Sequence, residues 1–365
     1  MNAPAARRRY LDVLRGMTVL IMIEAHVIDS WTRVADRRSR AFGESLILGG
    51  FAAPLFLFLA GVAIAMSAGS KARRSGDSRA AAAAVRKRGL QIFALAFLFR
   101  FQSFILSHAP AWTLLKVDIL NVMGPSMVAA VGVWTLFRAP KARIAGFIAA
   151  TLAIVLVTPL IRHAGALASL PDSIEGYLRP IPGLTNFTFF PWAAFLTAGA
   201  AIGVVLDMAR SDVQDRRTNI ALLAGGFALA FIAYEASFLP PLDVRSSFWT
   251  TSVSFFFMRL GLMIAAIGVA WVWEQRPGAG LRWSPLQVLG RSSLFIYWIH
   301  VEMVYGIVSN PLHRAFSVGG AWVALGVFWV LMLGAAVVKD SAKRKYLAKR
   351  DLREKLNRRA QPLMF

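Results

Sequence analysis

The stretch "YLDVLRGMTVLIMIEAHVID", residues 10–29, has the length of a membrane-spanning helix but contains ionisable side chains. A helix needs about 20 mainly apolar residues to cross a bilayer. Asp12, Arg15, Glu24 and His26 interrupt this apolar segment. A charged group at the bilayer centre costs at least ~2.5 kcal/mol, so such residues usually face a protein interior or a wet cavity. The stretch therefore predicts a transmembrane helix with one functional polar face.

The composition of the whole chain is typical of an integral membrane protein. Hydrophobic residues make up 57% of 365 positions, charged residues 16%, and the mean hydropathy is +0.56,. The absence of cysteine excludes disulfides, iron–sulfur clusters and thiol nucleophiles,. The amino terminus lacks the cleavage pattern of a signal peptide, so we expect the first span to be retained.

Ten segments are long and apolar enough to span a bilayer, and none shows the period-two alternation of strands. We therefore predict an all-α polytopic membrane protein with about ten transmembrane helices. The predicted spans are 11–30, 46–68, 89–107, 118–137, 143–162, 187–207, 219–238, 251–273, 286–308 and 319–338.

The distribution of basic residues predicts the orientation. With the amino terminus in the cytoplasm, the cytoplasmic segments hold 28 Lys and Arg residues and the opposite side holds 9. This bias follows the positive-inside rule and gives an N-in/C-in topology. We predict one transmembrane domain over 1–338 and a basic cytoplasmic tail over 339–365. We therefore interpret the net charge of +22 as favouring contact with anionic lipid headgroups and not with nucleic acid,.

Three polar residues of the first helix, Asp12, Arg15 and His26, fall on a common face, whereas Glu24 points ~160° away from His26. Arg15 and His26 are eleven residues apart, which at ~100° per residue is ~20° from a whole number of turns, with a rise of ~16 Å. Asp12 lies three residues before Arg15 and can pair with it. Asp29 lies three residues after His26 and can orient the imidazole.

This arrangement suits a reaction that crosses the membrane. A cation at the cytoplasmic end of the helix can hold an anionic donor, while a deeper imidazole deprotonates an acceptor from the other side. The alternative is that the polar residues only fix helix packing, as buried polar side chains do in membrane bundles.

Five stretches also resemble a known family, in the family's order and over nearly the whole chain. This is the heparan-α-glucosaminide N-acetyltransferase catalytic-domain family, polytopic proteins related to the acyltransferase-3 family within the transmembrane acyltransferase superfamily. The stretches are "RRYLDVLRGMTVLIMIEAH" (8–26), "FAAPLFLFLAGVAIAMS" (51–67), "VDILNVMGPSMVAAV" (117–131), "FFPWAAFLTAGAAIG" (189–203) and "VLGRSSLFIYWIHVEMVYG" (288–306).

The resemblance implies a catalytic role for the first helix. The acyltransferase-3 pattern is an Arg, ten residues and a His, which Arg15 and His26 reproduce, and there the His is regarded as the catalytic base. The animal lysosomal enzymes share the residues that match Asp12 and Arg15 but carry Asn in place of His26. Their candidate catalytic His follows, before the next span. Here that segment, "SWTRVADRRSRAFGESL", contains no His, so the resemblance does not imply the glucosaminide substrate.

The resemblance also implies sites elsewhere in the chain. His300, in "SLFIYWIHVE", matches a family His followed by an acidic residue; the alternative is a histidine hydrogen-bonded to a neighbouring helix. Related acyltransferases place arginines where the third span begins, which points to Arg86 and Arg88, with Arg100 deeper in the span. Guanidinium groups bind phosphate bidentately and would contact the phosphates of acyl-CoA. Arg86 and Arg88 also fit ordinary positive-inside charge.

Acceptor-binding candidates lie at the outer ends of the predicted spans. Asp118 and Asn121 begin the fourth span, and Trp192 begins the sixth and can stack on a sugar ring. Together with Asp29 they would contact substrate. The alternative for Trp192 is an interfacial anchor. The histidines show no HxxxH or HExxH spacing, so we expect no metal site.

The combined reading predicts a membrane-bound, acyl-CoA-dependent O- or N-acyltransferase, with acetyl-CoA as the favoured donor. The acceptor would be a hydroxyl or amine of an extracytoplasmic carbohydrate or glycolipid, such as a lipid-linked glycan. No activated covalent nucleophile is visible, so direct transfer is expected, and a bacterial inner (plasma) membrane is the simplest location. A proton-coupled secondary transporter of an anionic substrate fits the intramembrane charges as well, although no repeat supports it. A noncatalytic scaffold is a third reading.

Overall fold

The computed structural model describes residues 8–107, 110–241, 243, 245–276 and 283–360. Residues 1–7 of the predicted domain and 361–365 of the predicted tail lie outside this part. The regular structure within it is helical apart from two isolated bridges, Thr32–Phe316 and Val117–Thr185. The α-helices are α1 (Arg9–Trp31), α2 (Arg40–Gly49), α3 (Ala52–Ser75), α4 (Ser78–Ser107), α5 (Ile119–Leu136), α6 (Pro140–His163), α7 (Asp172–Leu178), α8 (Phe189–Met208), α9 (Asp212–Ala236), α10 (Val253–Glu274), α11 (Pro285–Arg291), α12 (Ser293–Tyr305) and α13 (Val318–Ala360).

Eight helical segments in the described residues are long and apolar enough to cross a membrane. The protein is therefore an all-α polytopic membrane protein, as predicted. The predicted first and ninth spans are not among the eight. The first corresponds to α1, which is continuous but carries several charges. The ninth is divided at Ser292 into α11 and α12, each shorter than a span. The count of ten and the N-in/C-in orientation stay predictions.

The chain forms two compact units. The larger unit contains the chain before residue 15 together with 50–282, and the smaller unit contains 15–49 together with the chain after residue 282. Helix α1 contributes to both, since the division follows Leu14. One domain over 1–338 stays a prediction. Helix α13 runs without a break through residue 338, so the predicted tail begins as a continuation of the last span.

Close helix packing defines the larger unit. Helix α3 packs along α8, α9 along α10, α4 along α5, and α6 against α8. At the α3–α8 crossing, a Cβ on Gly61 would overlap the carbonyl of Leu196, and one on Gly199 would overlap the carbonyl of Phe58. Small residues allow such approach of two backbones, which is a common source of helix association in membranes.

Helix α13 contacts several elements of the smaller unit along its length. The Trp322 indole donates a hydrogen bond to Ser45 Oγ in α2, at 3.1 Å. The Trp329 indole donates to the Leu20 carbonyl of α1, also at 3.1 Å. Two tryptophan N–H groups therefore fix α13 against the elements that carry the amino-terminal part of this unit.

The opposite end of the smaller unit holds the break between α11 and α12. A Cβ on Gly16 would overlap the backbone of Leu286, so glycine allows α1 and α11 to touch,. Lys339 Nζ donates a hydrogen bond to Ser292 Oγ at 3.0 Å. Ser292 is the single residue that separates α11 from α12. Helix α1 therefore contacts α11 before the break, and α13 contacts Ser292 at the break itself.

Candidate active site

The predicted catalytic residues of the first span lie on one unbroken helix. Because α1 is continuous over Arg9–Trp31, Arg15 and His26 keep the helical spacing that places them on one face, about 16 Å apart along the axis,. Asp12 is buried, with 7% of its surface exposed, and Arg15 and His26 are half-buried. The face that carries them therefore packs within the protein.

Backbone and side-chain hydrogen bonds bring the ends of α1 and α12 together. Ser30 Oγ and Trp31 Nε1 both donate to the Val304 carbonyl, at 3.1 and 3.3 Å. The Arg314 backbone N–H donates to the Ser30 carbonyl at 3.1 Å. These contacts place the last residue of α12, Tyr305, beside the carboxyl-terminal half of α1.

His26, Tyr305 and Asp29 form a hydrogen-bonded chain. His26 Nδ1 lies 3.2 Å from the Tyr305 hydroxyl, and that hydroxyl donates to Asp29 Oδ2, also at 3.2 Å. An ionised carboxylate only accepts, so the Tyr305 proton is directed to Asp29 and the Tyr305 oxygen accepts from His26 Nδ1–H. This arrangement favours the tautomer in which His26 Nε2 carries the lone pair. Such an imidazole can act as a general base.

Asp29 is held in position by two arginines. Arg37 Nη2 lies 2.6 Å from Asp29 Oδ1, and Arg37 Nη1 donates to the Asp29 carbonyl at 2.7 Å. Arg314 Nη1 donates to the same carbonyl at 3.3 Å. We predicted that Asp29 orients the imidazole; in the structure the two are linked through the Tyr305 hydroxyl. A direct contact of Asp29 with substrate stays a prediction.

His300 lies beside His26 and is fully buried. Its Nδ1 is 2.8 Å from the Ile296 carbonyl, one turn earlier in α12, so Nδ1–H is the donor of this bond,. Its Nε2 has no hydrogen-bond partner within the described residues. The ring centroids of His300 and His26 are 5.2 Å apart, with the planes tilted by 47°. The structure therefore brings together the two histidines that the sequence selected separately.

Arg100 and Asp118 form an ion pair with each other. Arg100 Nη2 lies 2.5 Å from Asp118 Oδ2, and both side chains are largely buried. We predicted a cytoplasmic phosphate contact for Arg100 and an extracytoplasmic substrate contact for Asp118. Because the two side chains already contact each other, a ligand at either one would compete with this ion pair, and both roles stay predictions. The pair neutralises both charges within the larger unit.

The Asn121 side chain is used by the protein itself. Its Oδ1 accepts from the Asp118 backbone N–H at 3.1 Å in the capping box of α5, and its Nδ2 donates to the Tyr177 hydroxyl at 3.1 Å. Asn121 is buried, with 1% exposed. Burial raises the pKa of Tyr177, an effect that the Asn121 hydrogen bond opposes. The predicted substrate contact of Asn121 is therefore not supported by the geometry.

The remaining predicted residues lie on the larger unit. Arg86 and Arg88 are exposed on α4, where a soluble ligand can reach them. Trp192, at the start of α8, lines a cavity of about 200 Å³. Their roles stay predictions.

Sequence reasoning missed Tyr305 and Arg37. Tyr305 lies five residues after His300, which places the two side chains ~140° apart around α12, so helical spacing gave no reason to link them. Arg37 lies in a connection between helices and was counted only as loop charge. Both contacts depend on how the ends of α1 and α12 meet, which a single span does not reveal.

The comparison with known families agrees with this arrangement. A model of the acyltransferase-3 family, described as an acyltransferase domain, matches residues 8–339. The comparison with curated proteins found no match. The matched region includes Arg15, His26, His300 and Tyr305. It supports the wider relationship, and the narrower resemblance to the heparan-α-glucosaminide N-acetyltransferases stays an expectation. The chain belongs to the acyltransferase-3 family and is a membrane acyltransferase.

Proposed function

We propose that this protein transfers an acyl group, with acetyl favoured, from cytoplasmic acyl-CoA to a hydroxyl or amine of an extracytoplasmic carbohydrate or glycolipid. The proposed location is a bacterial inner membrane, with both termini in the cytoplasm. The observation that carries the proposal is the His26 imidazole, whose Nδ1 is engaged by the Tyr305–Asp29 chain in a protein of an acyltransferase family.

His26 is the proposed general base. Its Nε2 takes the proton of the acceptor hydroxyl or amine as the acceptor oxygen or nitrogen attacks the thioester carbonyl. The tetrahedral intermediate then expels the thiolate of CoA, and the His26 imidazolium returns the proton to that sulfur. One C–S bond breaks and one C–O or C–N bond forms, so the reaction needs no further reactant.

The neighbours of His26 have distinct proposed roles. Asp29, through Tyr305, stabilises the positive charge that develops on the imidazole during proton transfer,. His300 is neutral when its Nδ1–H donates to Ile296, and its unpartnered Nε2 is then an acceptor for an O–H or N–H of the incoming substrate,. His300 is therefore proposed to orient the acceptor beside His26.

Arginines are the proposed ligands of the donor. Arg15 lies on the His26 face of α1, towards the predicted cytoplasmic end, where a guanidinium can bind the anionic donor,. Asp12 is proposed to position Arg15. Arg86 and Arg88 remain candidates for phosphate contacts because they are exposed on α4,. Arg100 is left out of this proposal because Asp118 already pairs with it.

The test is transfer of radiolabel from acetyl-CoA to a panel of sugars and lipid-linked glycans by the purified full chain. His26→Gln should lower the transfer rate by about 10²–10⁴-fold, the usual contribution of a general base. His313→Gln is the matched control, because His313 lies in the same unit but contacts Ser30 Oγ, at 3.2 Å, instead of His26.

Both variants must retain the thermal stability of the parent protein for the comparison to count. Transfer by His26→Gln at the parent rate would refute the role of His26. Uptake of a labelled anion into proteoliposomes without covalent transfer to any acceptor would refute the enzyme and favour a transporter.

A further inference from the structure

A cavity lined by both polar and apolar side chains lies wholly within the larger unit, with Trp192 in its lining. It has a volume of about 200 Å³ and is lined by the end of α6, the starts of α8 and α10, and the segments that precede α8 and α10. Its apolar wall includes Trp192, Phe195 and Phe255, and its polar wall includes Asn186 and Thr250. Flat rings beside hydrogen-bonding groups are typical of pockets for organic ligands.

Arg259 is a buried residue in the lining of this cavity. It lies about two turns into α10 and is buried, with 9% exposed. Its Nη2 donates to the Gly50 carbonyl, and its guanidinium lies 5.7 Å from the Trp192 ring and 5.0 Å from the Phe255 ring. No carboxylate pairs with it within the described residues. A buried guanidinium with one carbonyl and aromatic rings as its partners retains donors for an anion.

Arg162, at the end of α6, lines the same cavity. Its Nε is buried and has no hydrogen-bond partner in the part of the chain that the structure describes. A buried donor without a partner is unfavourable and is rare unless a ligand or ion satisfies it. Two guanidinium groups, neither paired with a carboxylate among the residues described, therefore line one cavity.

The surroundings add to this positive potential. Two long helices begin at the cavity, since Thr188 precedes α8 and Ser252 caps α10, and helix amino termini attract anions,. Among the described residues that line the cavity, none is acidic. The carboxylate of Asp243, which lies in the connection between α9 and α10, is hydrogen-bonded and ion-paired with Arg245, and this contact holds the pKa of Asp243 below its usual range.

We propose that this cavity is a binding site for a phosphate ester. Arg259 and Arg162 bind the phosphate oxygens, and the ring wall of Trp192 and Phe255 contacts the organic group that carries the phosphate. A sugar phosphate and a phospholipid headgroup share this chemistry. The proposal concerns binding and does not depend on the proposed transfer reaction, so it is tested by binding alone.

The experiment measures binding to the purified full chain by thermal shift and calorimetry. The three probes are inorganic phosphate, glucose 1-phosphate, and phosphatidic acid in mixed micelles. Tighter binding of glucose 1-phosphate than of inorganic phosphate supports the proposal with a sugar as the source. Tighter binding of phosphatidic acid supports it with a lipid as the source. Binding of inorganic phosphate alone, or of no probe, overturns the proposal.

Variants localise the binding. Arg162→Gln should lower the affinity for the preferred probe by at least about tenfold, as expected for loss of a charge-assisted contact. It should leave the melting temperature of the unliganded protein unchanged or higher, because Arg162 Nε has no partner to lose. Arg259→Lys, which keeps the charge without the bidentate geometry, should also weaken binding.

Arg245→Gln is the matched control, since it removes one positive charge outside the cavity lining. Equal affinity in the parent protein and Arg162→Gln would overturn the proposal. An equal loss in Arg245→Gln would also overturn it, because the effect would then be one of net charge.

Discussion

Substitution of Tyr305 by Phe removes one oxygen atom from the chain that joins His26 to Asp29. The ring is retained, so the edge-on contact with the His26 ring, at a centroid distance of 5.5 Å, persists. What is lost is the acceptor for His26 Nδ1–H and the donor to Asp29 Oδ2. The ion pair of Asp29 with Arg37 does not depend on the hydroxyl and should survive.

The geometry sets the size of the effect. Both distances are 3.2 Å, which is long for hydrogen bonds of a hydroxyl, so each bond contributes at the lower end of ~0.5–1.5 kcal/mol,. Tyr305 is 44% exposed, so water can replace part of the lost contacts,. A total of ~1 kcal/mol lost from the transition state lowers the transfer rate by ~5-fold.

The assay compares kcat and KM for acetyl transfer in the parent protein, Tyr305→Phe and Tyr346→Phe. Tyr346 is the control because it is 68% exposed on α13, far along the chain from α12. We expect kcat to fall in Tyr305→Phe with KM for acetyl-CoA unchanged. An unchanged kcat would refute the chain as a functional element. A loss greater than ~10³-fold would refute a purely orienting role and make Tyr305 a participant in the chemistry.

Two further predictions concern the larger unit. Arg100→Gln leaves the Asp118 carboxylate without its partner and should lower the free energy of unfolding by ~3 kcal/mol, with KM for acyl-CoA unchanged,; a raised KM at unchanged stability would contradict the assignment as a structural pair. Burial raises the pKa of the Tyr177 phenol above 10.0, so folding favours the protonated form. The contribution of Tyr177 to the free energy of unfolding is complete below pH 10.0 and is lost as the pH rises through the raised pKa. Tyr177→Phe should therefore reduce the change of melting temperature with pH across that range. An equally steep fall of the melting temperature at alkaline pH in Tyr177→Phe would contradict this.

The helices could be predicted from the sequence where apolar runs end at polar connections. The predicted span 187–207 corresponds closely to α8 (Phe189–Met208). The predicted second span, 46–68, joined residues of α2 and α3, because hydropathy does not register the break between Gly49 and Ala52. The predicted tenth span ended at 338, whereas α13 continues to Ala360 because helix formation does not require apolar residues.

The part of the site that lies on one helix could be predicted from the sequence, and the contacts between helices could not. Periodicity placed Arg15 and His26 on a common face because both lie on α1. The contact of His26 with Tyr305 joins residues far apart in sequence and depends on tertiary packing. Arg259 carried a usable signal, an arginine inside the apolar run "FFFMRLG", but it was counted only as a charge within a span,.

Three contacts along one side of α13 set the positions of other elements of the smaller unit relative to this helix. Trp322 and Trp329 are seven residues apart and Asp340 follows after eleven more, intervals that each return within ~20° of the same side of a helix,. That side meets Ser45, then Leu20, then Arg291. Inserting one residue between Trp329 and Asp340 would turn the distal part by ~100° and advance it by ~1.5 Å. Length changes in this helix are therefore tolerated only in steps that restore its angular phase.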